Sequence, residues 1–155
     1  MEISSCDLVL AARRVAVRAH QGQTDKGGAP YIGHPARVAR LVSMATTSQS
    51  AIAAAWLHDV VEDTDVTLDA LSAAGFPAEV VDAVEALTHR KGETRVAYIE
   101  RVRGNLLAVQ VKRCDIQDNL DHNRLAALPD LDRERLESKY AKDSRNLLGP
   151  WVDSA

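Results

Sequence analysis

At 155 residues with 46% hydrophobic residues, the chain can bury one compact core, which excludes a disordered tail protein and predicts a single domain over residues 1–155. Aromatic residues make up only 4%, and the alanine-rich run from Ala51 to Ala55 favours helix packing over strands, so an all-α helical bundle is expected. Nineteen Lys+Arg against twenty-two Asp+Glu give a formal charge of −3, which excludes the basic excess of a non-specific nucleic-acid binder.

Met1 to Ala12 has no basic leader and Asp7 interrupts its apolar stretch, so neither a signal peptide nor a membrane span is predicted and a cytoplasmic location is expected. Cys6 and Cys114 match no metal spacing and read as free thiols. From Asp7 to Gln21, the helical spacing of Leu8, Ala12, Val15 and Ala19 predicts an amphipathic helix. A turn-rich loop with Gly22, Gly27, Gly28 and Pro30 runs to Gly33. His34-Pro35 reopens helix, with Val38, Leu41 and Val42 as its apolar face. Ser48 or Ser50 caps the next helix, the most buried, which runs through Leu57 into the acidic segment 58–63.

Thr67 to Gly75 reads as a short capped helix, and Pro77 starts another carrying Val80, Val81, Val84 and Leu87. After a basic loop over 89–93, Tyr98, Ile99 and Val102 mark a helix closed by Gly104-Asn105. Leu106 to Leu120 and Leu131 to Leu148 complete the bundle.

Polar residues stand where core is expected. On the 106–120 helix the Leu107–Val111 stripe continues onto Asp115 and Asn119, either because the helix emerges into solvent there or because a site lies at its end. His58, Asp59 and Glu62 project from the end of the alanine-rich helix; a hydrogen-bonded neutral histidine beside surface carboxylates is the plain alternative to a site. With His34, the set of two imidazoles and two carboxylates suits Mn²⁺, Fe²⁺ or Zn²⁺ with positions left for water and substrate.

The stretches 19–23 (AHQGQ), 30–35 (PYIGHP) and 57–64 (LHDVVEDT), followed by Val111-Lys112, Asp115 and Asn119, resemble the HD-domain phosphohydrolases. More narrowly, they resemble the hydrolase domain of RelA/SpoT proteins and the small alarmone hydrolases of the metazoan SpoT-homologue type, over roughly residues 10 to 125. The resemblance implies that His34, His58, Asp59 and Asp115 bind one divalent ion, usually Mn²⁺. Glu62 and Asn119 would position or deprotonate the attacking water, with Asp63 supporting them. It implies substrate contacts from Lys112, Lys91, Tyr31 and Lys26; for the two lysines Lys112 and Lys91 a solvated surface role is the alternative.

The implied reaction removes the 3′-pyrophosphate of guanosine tetra- or pentaphosphate, and the chain length implies hydrolysis without a synthetase domain. The chain departs from the family pattern at Asp25 and Asp121, where basic residues are usual, and at Asp118, where an aromatic or histidine is common. Asp25 and Asp121 leave open another nucleotide, such as NADPH or a 3′-phosphonucleotide, as the substrate; because a fold alone does not fix function, a nucleotide-binding module without turnover is a further alternative, against which Glu62 and Asn119 stand. His20 is read as a structural residue of the loop, and His89 and His122 as facing solvent.

Overall fold

The computed structural model describes residues 1–153, apart from the side chains of His122 and of residues 149–153. It is all-helical: α1 (Leu8–Ala19), α2 (Gly33–Ala45), α3 (Gln49–Leu57), α4 (Val60–Asp63), α5 (Leu68–Ala73), α6 (Ala78–Leu87), α7 (Arg95–Arg103), α8 (Leu106–Asn119), α9 (His122–Ala126) and α10 (Asp130–Asp153). None of the described helices is long and apolar enough to cross a membrane.

α3 is the central element because alanines face both cores. Ala51, Ala54 and Ala55 face a core built with α2, α6, α7 and α8, while Ala53 and Leu57 face a second core with α1, α5 and α6. Alanine lets four neighbours approach one helix without gaps, and close packing is what a buried interior demands. Ser48 rather than Ser50 caps α3, its Oγ accepting from the Ala51 N–H at 3.2 Å; Ser50 is buried and donates to Glu79.

Thr67, Thr94 and Asn105 cap α5, α7 and α8 in the same way, each satisfying a free N–H of a first turn. Gly75 closes α5 with φ +98, and a Cβ there would stand 2.3 Å from the Met1 carbonyl oxygen, so only glycine lets the N-terminal segment pack on this turn.

Two differences from the sequence reading shape the site. The alanine-rich helix does not run on through residue 63: it ends at Leu57, turns at His58-Asp59, and restarts as α4. The short helix α9, which hydrophobic periodicity did not predict, is capped by Asp121, whose Oδ1 accepts from the Asn123 and Arg124 N–H groups. Cys6 is exposed and Cys114 buried, both as free thiols.

Candidate metal centre

Three separate chain segments deliver donors to one point. His34 lies in the first turn of α2, where Pro35 lacks an N–H that the helix would leave unpaired anyway; His58 and Asp59 occupy the break between α3 and α4; Asp115 continues the buried stripe of α8. His34 Nε2 stands 2.9 Å from Asp115 Oδ1 and 3.3 Å from His58 Nε2. Asp59 Oδ2 lies 3.1 Å from His58 Nε2 and 3.6 Å from His34 Nε2.

The protons on the outer ring nitrogens decide what these inner atoms offer. His58 Nδ1 is 2.6 Å from the Ala55 carbonyl oxygen, which can only accept, so Nδ1 carries the hydrogen and the neutral ring turns a lone pair inward. His34 Nδ1 likewise faces the Asp118 carboxylate at 2.7 Å. In their neutral forms the two imidazoles therefore turn lone pairs toward carboxylate oxygens in a buried space, an arrangement that a cation at its centre would satisfy. A divalent ion with ligand distances of about 2.1 Å would have neighbouring ligand atoms about 3 Å apart, and the separations match that scale. His34, His58 and Asp115 thus form a site able to hold a divalent metal ion.

Protons feel the same field. Burial would lower the His58 pKa, but Asp59 and Asp115 outweigh it and hold it well above the ordinary value; Asp115 and Asp118 also outweigh burial at His34 and raise its pKa. Burial opposes ionisation of Asp115, yet Lys112 and the two histidines keep its pKa well below the usual carboxylate range.

Around the donors, Asn119 Nδ2 donates to Asp115 Oδ1 at 2.9 Å, and the Tyr31 hydroxyl donates to Asp59 Oδ2 at 2.5 Å. Lys112, expected at substrate phosphates, is buried and pairs with Asp115 Oδ2 at 2.9 Å. Glu62 is exposed at the rim and accepts the His89 N–H at 2.7 Å. Asp63 sits with Asp59 and Glu62 in a second acidic group, where burial first, then those two neighbours, raise its pKa to about 6.

Two cavities with shared wall residues flank the donors. A cavity of about 530 Å³ runs between the 24–31 loop and α9–α10, lined by Lys26, Arg37 and Arg124 and by aliphatic Leu125, Leu128 and Leu136. One of about 130 Å³ lies over the acidic group and has no aliphatic lining residue; Arg95, Lys112 and Lys139 are its cations. Tyr31, His34, Asn119 and Tyr140 belong to both walls. Lys26 is exposed at the larger cavity, whereas exposed Lys91 lines neither.

The three acidic departures acquire structural roles. Asp25 Oδ1 accepts from the Gly27 and Ala29 N–H groups at 2.9 Å and so shapes the loop. Asp121 caps α9. Asp118, given no role by the sequence reading, is buried and binds His34 Nδ1, Arg37 Nε and Arg124 at 2.6 to 2.8 Å. Its only sequence signal is an acidic residue on the buried side of α8, three positions after Asp115.

His20 is buried, with Nδ1 2.9 Å from Gln23 Oε1. His89 does not face open solvent as expected: Nε2 bonds the Glu93 carbonyl at 2.8 Å and the ring lies against Tyr98, because the 89–93 loop folds back on α7. The side chain of His122 lies outside the described residues.

A family model described as an HD domain matches residues 12–142. The guanosine-3′,5′-bis(diphosphate) 3′-pyrophosphohydrolase of Vibrio cholerae is 43% identical over 98 residues, covering 61% of this chain and 14% of that protein. The human enzyme of the same description, MESH1, is 42% identical over 87 residues, covering 54% of this chain and 48% of its own length. The chain thus spans at most about half the length of these curated relatives. Among solved structures, a metazoan SpoT orthologue described as hydrolysing ppGpp superposes with a TM-score of 0.78 at 25% identity, covering 96% of this chain and 89% of that one. By the extent of the family match and the helical framework that carries it, the chain belongs to the HD domain family.

Proposed function

We propose that this protein is a metal-dependent phosphohydrolase that cleaves the 3′-pyrophosphate from guanosine tetra- or pentaphosphate, giving GDP or GTP and pyrophosphate. The observation that carries the reading is the convergence of the His34 and His58 Nε2 lone pairs with the Asp59 and Asp115 carboxylates at the junction of two cavities. The pyrophosphohydrolase relatives support the choice of substrate.

His34, His58, Asp59 and Asp115 would hold one divalent ion, Mn²⁺ in this reading, which when bound lowers the pKa of water and offsets phosphate charge. Glu62, at the rim beside the acidic group, accepts the proton of the attacking water, and Asn119 fixes the Asp115 carboxylate that faces it. Water adds to the phosphorus at the 3′ oxygen, that P–O bond breaks, and the 3′ oxygen leaves with a proton. Asp63, whose pKa is raised to about 6, supports this transfer. Lys112 holds Asp115 in place, and Tyr31 holds Asp59. The nucleoside occupies the larger cavity, its base against the aliphatic wall and Lys26 at the mouth.

The test is product analysis after incubating Mn²⁺-loaded protein with guanosine tetraphosphate, NADPH and 3′-phosphonucleotides at equal concentration. Pyrophosphate and GDP, released well above the other products, are expected. Orthophosphate from NADPH or a 3′-phosphonucleotide instead would move the substrate to that class, a reading that Asp25 in the nucleoside cavity wall keeps in play.

A further inference from the structure

Resting on the reading that the bond cleaved joins a pyrophosphate to a nucleoside, we propose that Lys139 of α10, beside Arg95 of α7, forms the subsite that seats the pyrophosphate group in the smaller cavity.

The argument begins with charge. Asp59, Glu62, Asp63 and Asp115 all line that cavity, and a pyrophosphate brought among four carboxylates needs cations beyond a single metal ion. Three basic side chains line the same walls. Lys112 is 5% exposed and committed to Asp115. Arg95 is paired with the buried carboxylate of Asp143. Lys139 makes no ion pair among the described residues; its recorded contact is with the ring of adjacent Tyr140, 5.2 Å away. It is the cation left to meet an incoming anion.

Its support is built into the helix. Asp143 lies one turn beyond Lys139 and ties α10 to Arg95, while Leu147 enters the core a further turn on, so the backbone carrying Lys139 is anchored. Partial burial, then Arg95 and Lys112, push the Lys139 pKa down, and together they outweigh the opposite pull of Asp143 and Asp115.

The two cavities also differ in the way two ends of a nucleotide differ. The larger has the aliphatic wall of Leu125, Leu128 and Leu136 that a base and ribose can use; the smaller is polar or aromatic at every lining residue. Tyr140, next to Lys139, belongs to both walls, so Lys139 stands on the phosphate side of the partition. The lysines that the sequence pointed to for phosphate, Lys112 and Lys91, are respectively neutralised and remote.

The experiment measures binding of inorganic pyrophosphate and of GDP to the Mn²⁺-loaded protein by calorimetry, for wild type and for K139Q, K139R and K26Q, each checked for metal content. Lys139 belongs to neither hydrophobic core, so K139Q keeps the fold. Loss of one charge-assisted contact weakens pyrophosphate binding by about tenfold to a hundredfold in K139Q, while K139R restores most of it. K26Q leaves pyrophosphate binding within about twofold and weakens GDP instead.

The proposal is overturned if wild type binds no pyrophosphate, if K139Q binds it as tightly as wild type, or if K26Q takes the loss. Lys139-dependent pyrophosphate binding in a protein that releases none from guanosine tetraphosphate would uphold the subsite and remove the proposed substrate. Turnover of that substrate with pyrophosphate binding indifferent to Lys139 would do the reverse.

Discussion

Asp118 shows how one carboxylate can serve two regions of a site. Its oxygens meet His34 Nδ1, Arg37 Nε and Arg124, so it fixes the ring that presents Nε2 to the metal position and also holds two guanidiniums of the nucleoside cavity. Asp118→Asn keeps the shape and removes the charge, and an outer contact of this kind is worth about tenfold to a hundredfold in metal affinity. Titration of the metal-free variant with Mn²⁺ should show that loss; affinity equal to wild type would reduce Asp118 to a clamp for the arginines.

Glu62 is the opposite case, since it touches none of His34, His58 or Asp115 within hydrogen-bonding distance and, among the described residues, accepts only the His89 N–H. Glu62→Gln should retain metal and lose about a hundredfold or more in kcat, measured at saturating substrate, because only the proton acceptor is gone. Full turnover in that variant would place the base elsewhere.

Among the elements, α3 sets how closely the others approach. Ala54 is fully buried in the larger core, and Ala54→Leu would force extra methylenes between α3 and its neighbours at a cost of about 1–3 kcal/mol, read from denaturant unfolding. Ser48→Ala removes the cap of the same helix and should cost about 1 kcal/mol. Much of this level was legible in the sequence, because capping residues, Pro35 and the apolar periods of α1, α2, α6 and α8 are local signals.

Of the candidate donors, His58, Asp59 and Asp115 were legible as polar residues at the end of apolar stretches, and His34 as a histidine at a helix start. What local patterns could not carry were the turn at His58-Asp59, the partnership of His34 with Asp118 across 84 positions, and the arrival of α10 over the acidic cavity. Each depends on long-range packing. Lys112 illustrates the point: its sequence position suits a phosphate contact, but burial against Asp115 makes it a partner of the ligand instead.

At the scale of the whole molecule, α2, α3, α4 and α8 meet at the donor cluster, so anything that binds there ties the bundle together. A cation that binds the folded chain and not the unfolded one adds about 2.7 kcal/mol at a concentration one hundred times its Kd. The melting temperature should therefore rise with Mn²⁺ and fall back on chelation, as followed by calorimetry. Replacing His58 removes an inward lone pair that the Ala55 carbonyl has already oriented.

The most direct measurement is metal stoichiometry and affinity for wild type and His58→Ala, both confirmed as folded by circular dichroism. One Mn²⁺ per chain in wild type and none retained by the variant is the predicted result. A wild-type protein that binds no divalent ion, or a variant that binds it equally well, would contradict the assignment of this cluster as the metal centre.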